Sequence, residues 1–173
     1  DGSTDGTGEA ARAAGAEVLR HEQNRGKGHA LATGFAWAID GGAEQVLTID
    51  ADEQHPPEEI PRFLAAADDA DLVIGQRLLQ WDTMPKYRCF SNRFSSASVG
   101  FFCGRHIPDS QCGFRLYGRR LLGLVPRPQG RFEAETEILM RASLLGLTLR
   151  WVPIPTIYST TEYHSHYDNV FDT

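Results

Sequence analysis

Residues 45–61 read QVLTIDADEQHPPEEIP, and their reading decides the fold. The first five form an apolar, β-branched run of the kind buried in a sheet. The run stops at Asp50-Ala51-Asp52, and Glu53-Gln54-His55-Pro56 then leads into a helix predicted over 58–67. Pro61 is tolerable there only within the first turn. Upstream, apolar positions at Leu31, Phe35, Ala38 and Ile39 predict a helix over about 28–40, closed by Gly41-Gly42. Downstream, 71–75 reads as another short buried strand. Strands alternating with helices of this length predict an α/β fold, a Rossmann-like, mostly parallel sheet flanked by helices. In such sheets ligands sit beyond the carboxyl ends of the strands, which is where Asp50 and Asp52 fall.

Further out the pattern is weaker. A short helix is predicted over 7–15 and a strand over 16–20. Helices follow over 87–103, 118–124 and 132–146, and strands over 111–117, 147–152 and 154–158. No repeat, linker or low-complexity tract divides the chain, so a single domain is expected over 1–158 with a polar tail over 159–173. The opening Asp1-Gly2-Ser3-Thr4-Asp5-Gly6-Thr7 is turn and cap chemistry. It reads as a chain entered partway through a fold.

The 173 residues carry a net charge of −6, which argues against a nucleic-acid partner. The charge is uneven: residues 1–76 hold 5 basic and 15 acidic side chains, and residues 77–150 hold 12 and 5. No apolar run reaches the ~20 residues that span a bilayer. The three cysteines, Cys89, Cys103 and Cys112, are widely spaced and without a His neighbour in a catalytic pattern, as in a reducing compartment.

Five segments carry side chains with chemical potential. Asp50 and Asp52, one residue apart at a strand end, suit a hard cation such as Mg²⁺ or Mn²⁺, whose shell water and phosphate oxygens complete. A bare D-x-D is also an ordinary helix-capping turn. Asp1 to Thr7 offers carboxylates and hydroxyls for a base or ribose, and Asn24-Arg25-Gly26-Lys27-Gly28 sets two cations before a helix start, an anion site. In Asp109-Ser110-Gln111-Cys112-Gly113-Phe114-Arg115 an acid and an arginine flank a strand start; an Asp–Arg pair tying down the loop accounts for the pattern equally well. In Arg131-Phe132-Glu133-Ala134-Glu135-Thr136-Glu137 the acids fall in the first turn of a helix, where its dipole favours them anyway. His164-Ser165-His166 lacks a third ligand set by spacing.

These motifs, in this order, resemble the family 2 glycosyltransferases of GT-A fold, nearest to the dolichyl- and polyprenyl-phosphate sugar synthases. The carrying residues are DGSTDGT (1–7), NRGKGHALATGFAWA (24–38), LTIDADEQHPPEEIP (47–61), DLVIGQR (71–77), PDSQCGFRLY (108–117) and the run 131–158. The resemblance implies an inverting transfer from a UDP- or GDP-sugar to a polyprenyl phosphate or glycan acceptor. It places Asp1 and Asp5 near the nucleobase and ribose, Lys27 at the nucleotide edge, and Asp50 and Asp52 on the metal and diphosphate, with Gln54 nearby. Arg115 and neighbouring arginines such as Arg131 would meet the acceptor's phosphate, and Glu135 would face the pocket. By the same comparison the family's first strand lies upstream of Asp1. The expected location is cytoplasmic, with peripheral contact at a membrane's cytoplasmic face allowed.

A lipid phosphate is already ionised at neutral pH and needs no general base. A sugar hydroxyl needs one, and Asp109 and then Glu135 are the candidates, beside Asp52 in the catalytic set. Two other classes stay open at this point: a nucleotidyltransferase on a similar sheet, and a non-catalytic nucleotide-sugar or carbohydrate-binding module. A metal hydrolase built on Asp50, Asp52, His55 and the tail histidines is more distant.

Overall fold

The computed structural model describes residues 1–77, 86–124, 134–155 and 157. One sheet of four strands is formed by β1 (Gln45–Thr48), β2 (Leu72–Gln76), β3 (Arg115–Gly118) and β4 (Leu149–Pro153), in the order β1-β3-β2-β4. β2 and β4 pair in parallel, and β3 pairs antiparallel with both β1 and β2. Three of the four strands therefore point the same way, as expected, while β3 is reversed between two of them. The alternation of apolar side chains marks a strand without marking its direction, so the reversal is invisible in the sequence.

Six helices accompany the sheet among the described residues: α1 (Thr7–Ala13), α2 (Lys27–Asp40), α3 (Ile60–Ala66), α4 (Lys86–Cys103), α5 (Arg119–Leu124) and α6 (Ala134–Leu144). Pro61 falls in the first turn of α3, behind a single 3-10 turn at Pro57–Glu59. There its missing N–H removes no helical hydrogen bond.

Among the described residues, two expected strands do not form. Residues 16–20 form no ladder; Gly2 N donates to His21 O (3.1 Å) and Arg20 Nη2 donates to Ser3 O (3.1 Å), which ties this stretch to the opening turn. Beyond β4, Ile154 N still donates to Gln76 O and Ile157 N to Gln54 O. Pro153 and Pro155, on either side of Ile154, lack the donors that a continued ladder would need.

The core forms around β2, which has a neighbour on each side; Leu72, Val73 and Ile74 are fully buried. Phe63 of α3 stacks on Phe114 with ring centroids 4.2 Å apart, and Phe35 of α2 meets Tyr117 edge-on at 4.9 Å. Each such buried ring contributes roughly 1.5–3 kcal/mol of apolar burial. Strand alternation turns Arg115 and Tyr117 to the face that carries α2 and α6, and both are fully buried there.

Candidate active site at the carboxyl ends of the strands

Segments far apart in the chain are joined by a continuous run of polar contacts. Asp1 begins it. Its carboxylate accepts the backbone N–H groups of Arg25 (3.0 Å) and Gly26 (2.8 Å), and His21 Nδ1 lies 2.7 Å from Oδ1. The other nitrogen of His21 is 2.9 Å from Thr33 Oγ1 on α2. Gly2, with φ of 71°, lets this turn close, since a Cβ there would sit 2.4 Å from Asn24 N. The loop so held delivers Lys27 as the first residue of α2.

Lys27 is the junction. Its Nζ lies 2.8 Å from Asp50 Oδ1, past the end of β1, and 2.8 Å from Glu135 Oε2, in the first turn of α6. Burial alone would lower its pKa, but the carboxylates of Glu135 and Asp50 outweigh that and raise it above the ordinary 10.5. Glu135 is only 7% exposed, and its second oxygen, Oε1, is buried without a hydrogen-bond partner.

Asp50 also lies directly over Gly113. A Cβ at 113 would stand 2.1 Å from Asp50 Oδ2, while Thr48 Oγ1 donates to Gly113 O (3.0 Å) and draws the two strand ends together. The obstructing atom is a side-chain tip rather than backbone. Gly113→Ala is therefore expected to fold within about 1–2 kcal/mol of the native chain while displacing the Asp50 carboxylate. Turnover should fall at least about tenfold with little change in melting temperature, checked by steady-state kinetics beside a thermal melt.

The turn after β1 is held by its own side chains. Asp52 Oδ1 accepts from Gln54 N (3.1 Å), and Glu53 adopts a left-handed φ of 61°, alone among the described non-glycine residues. Strain of this kind costs on the order of 1 kcal/mol and persists where its surroundings enforce it. His55 is 4% exposed with its ring 5.8 Å from that of Phe114; burial first, and then the nearby Arg77 cation, push its pKa down.

Two expectations about site residues are corrected here. Asp109 is not placed to act as a base. Arg77 grips it through Nε (3.0 Å) and Nη2 (3.1 Å), and the backbone N–H groups of Gln111 (3.0 Å) and Arg77 (3.3 Å) cover it further. Burial opposes its charge, but the Arg77 guanidinium holds the carboxyl below the usual range. Arg115 does not meet a substrate phosphate. It is fully buried, and its Nε, Nη1 and Nη2 donate to the carbonyls of Cys112 (2.7 Å), Glu135 (2.6 Å) and Ser110 (2.8 Å). The ion pair of the 109–115 segment is thus Asp109 with Arg77, and Arg115 is a strut between the 110–112 loop and α6.

Asp5 is exposed and accepts from the backbone N–H (3.1 Å) and hydroxyl of Thr7, which starts α1 and lowers its pKa. Its part in the structure is that of a helix-start residue. Arg131, His164 and His166 lie outside the described residues. Among those described, no three His, Cys, Asp or Glu side chains gather as metal ligands.

The sequence reading passed over Arg77, though it directly follows strand β2, and over Ser95 and Ser96 on α4. Ser96 Oγ accepts from Ser110 N (2.9 Å), and Ser95 Oγ accepts from Gln111 Nε2 (3.0 Å), so α4 braces the loop that contains Asp109 and Gly113. Polar residues on a helix face opposite exposed phenylalanines were the available signal.

The sequence model of glycosyl transferase family 2 matches residues 1–124. The UDP-N-acetylglucosamine--dolichyl-phosphate N-acetylglucosaminyltransferase of Methanococcus voltae is 33% identical over 153 residues, covering 84% of this chain and 60% of that protein. The undecaprenyl-phosphate mannosyltransferase of Micrococcus luteus is 31% identical over 168 residues, covering 89% of this chain and 68% of that protein. Glucosyl-3-phosphoglycerate synthase from Mycobacterium tuberculosis, solved with Mn²⁺ and UDP-glucose, superposes with a TM-score of 0.64 at 23% identity, over 93% of this chain and 58% of that one. The chain thus spans between about three-fifths and two-thirds of the length of these proteins. The last of them has the GT-A fold expected from the sequence.

Proposed function

The chain belongs to glycosyl transferase family 2, and on that premise we propose that it moves a sugar from a nucleoside-diphosphate donor to a polyprenyl phosphate, aided by a divalent cation at Asp50 and Asp52. The observation that carries this reading is the Lys27 junction, which draws Asp50 and Glu135 onto one ammonium at the strand ends. Asp50 and Asp52 stand two residues apart past the end of β1, and a hard divalent ion takes one or two carboxylates while phosphate oxygens complete its shell. When bound, the ion offsets the charge developing on the departing diphosphate.

The chain's own residues supply positioning. Lys27 keeps Asp50 from turning away. Asp1, by fixing residues 24–26, sets the start of the 14-residue helix α2, whose unpaired N–H groups favour an anionic group. A lipid phosphate brings an ionised oxygen to the sugar, so no base is required. For a hydroxyl acceptor Glu135 is the candidate base, with Asp109 removed from that role. The lipid acceptor follows the names of the relatives from Methanococcus voltae and Micrococcus luteus, and Mn²⁺ with a uridine donor follows the Mycobacterium tuberculosis enzyme.

A thermal melt of the full-length protein with UDP- and GDP-sugars, each with and without Mn²⁺ or Mg²⁺, tests the reading. Ligand at a hundredfold excess over Kd stabilises by about 2.7 kcal/mol, a rise of several degrees. The rise should require the cation and appear with one base far more than the other. Absence of a shift with every nucleotide sugar overturns the assignment. Binding without transfer to polyprenyl phosphate would instead indicate a non-catalytic module.

A further inference from the structure

We propose that His21 is a positioning residue for the donor: its imidazole locks residues 24–27 and the start of α2 into the shape that receives a nucleoside diphosphate. This role rests on the donor site proposed above. The ring is held at both ends. Nδ1 lies 2.7 Å from Asp1 Oδ1 and Nε2 lies 2.9 Å from Thr33 Oγ1, and the His21 and Asp1 side chains are 13% and 15% exposed. A carboxylate only accepts, so a hydrogen on Nδ1 points at Asp1; in the neutral ring Nε2 then accepts from the Thr33 hydroxyl. A helical threonine hydroxyl ordinarily turns back on the carbonyl one turn earlier. Here its oxygen faces the imidazole.

Asp1 is what this ring orients. The Asp1 carboxylate also accepts from the N–H groups of Arg25 and Gly26, the last two residues before Lys27. Thr33 lies six residues beyond Lys27, about 9 Å along the helix at 1.5 Å per residue. The segment from Arg25 to Thr33 is therefore fixed at its start through Asp1 and further along through Thr33, and one imidazole meets both. Between the two attachments lie the first N–H groups of α2, which favour an anion, and Lys27, which reaches Asp50 and Glu135. The opening turn itself does not depend on the ring. Gly2 N donates to the backbone carbonyl of His21, and Arg20 Nη2 donates to the carbonyl of Ser3, both at 3.1 Å. A change of side chain at 21 leaves those bonds in place, so it frees the Asp1 carboxylate without opening the turn.

Full-length His21→Leu, His21→Asn and Thr33→Val test this, with UDP and GDP, each with Mn²⁺, as binding probes and the nucleotide sugars as donors. Leucine keeps much of the bulk and donates nothing. His21→Leu should raise the Kd for the diphosphate and the KM for the nucleotide sugar together, at least about tenfold, with kcat within about twofold. What is lost is binding common to the ground and transition states. Its melting temperature should stay within a few degrees of native. Asparagine sets an amide N–H where Nδ1 stood but is too short to reach Thr33, so His21→Asn should recover part of the affinity. Thr33→Val keeps the β-branched shape; it should cost about threefold alone and add nothing to His21→Leu, whose ring is already gone. A lower melting temperature in His21→Leu with Kd unchanged overturns the positioning role, and so does a fall in kcat with KM unchanged. Should His21→Leu fail to fold, Thr33→Val decides, and an unchanged KM there overturns the role. A native chain that binds neither diphosphate overturns the donor site and the part of His21 in it together. A native chain that binds, beside a His21→Leu chain that binds equally well, overturns the part of His21 alone.

Discussion

Arg115→Met is expected to abolish folding of the domain at ordinary temperatures rather than to weaken acceptor binding. The guanidinium is fully buried and donates to three carbonyls, on Ser110, Cys112 and Glu135. Methionine fills much of the same space but donates nothing. Each buried carbonyl left unpaired costs about 1–3 kcal/mol, so the loss reaches roughly 3–9 kcal/mol, comparable with the whole stability of many domains. The burial of Arg115 itself opposes its charge, yet the neighbouring Tyr117 and the carboxylate of Glu135 favour the ion, and its pKa is raised. Arg115→Lys tests the geometry, because one ammonium cannot reach three carbonyls held in a planar fork. It should recover only part of the stability. A melt of each variant, compared with acceptor kinetics on whatever remains folded, checks this. A well-folded Arg115→Met with a raised KM for the acceptor would restore the phosphate role assigned from the sequence.

That assignment shows where the sequence stops being legible. The elements from α2 to β2 follow directly from hydrophobic period, glycine stops and the placement of Pro61, because local sequence dictates local backbone. The position of Asp50 and Asp52 follows too, since a strand end beside a D-x-D turn is a local fact. Arg115 misleads because arginine is ordinarily a surface residue, and the pattern FRLY hides it among apolar neighbours. Its parity with the buried Tyr117 two residues on was the signal. The bridge from Lys27 to Glu135 crosses more than a hundred residues, and charge counting cannot choose which carboxylate closes it. Asp109 illustrates the same limit: the sequence announces an acid that wants a cation, and the fold decides that Arg77 is the cation.

The second large effect separates the proposed cation site from the scaffold around it. Asp52→Asn should reduce transfer at least about a thousandfold while leaving the melting temperature within a few degrees. Asparagine has the same shape, and its side-chain oxygen can still accept from Gln54 N, the bond that closes the turn. What disappears is the negative charge of Asp52. Asp52 would be one of the anionic residues holding the proposed ion, whose chemistry would be to offset charge on the leaving diphosphate. Raising Mn²⁺ should recover part of the activity, because the remaining Asp50 still offers a carboxylate. Asp109→Asn is the contrast, since it breaks a buried charge-assisted grip on Arg77 without touching the cation site. Its melting temperature should fall while the Mn²⁺ concentration giving half-maximal transfer stays unchanged. Were Asp52→Asn to turn over normally at native Mn²⁺, the carboxylates past β1 would be a capping turn and nothing more. The Lys27 junction would then be an anchor for α2 and α6, and the reaction would have to be sought elsewhere on the sheet.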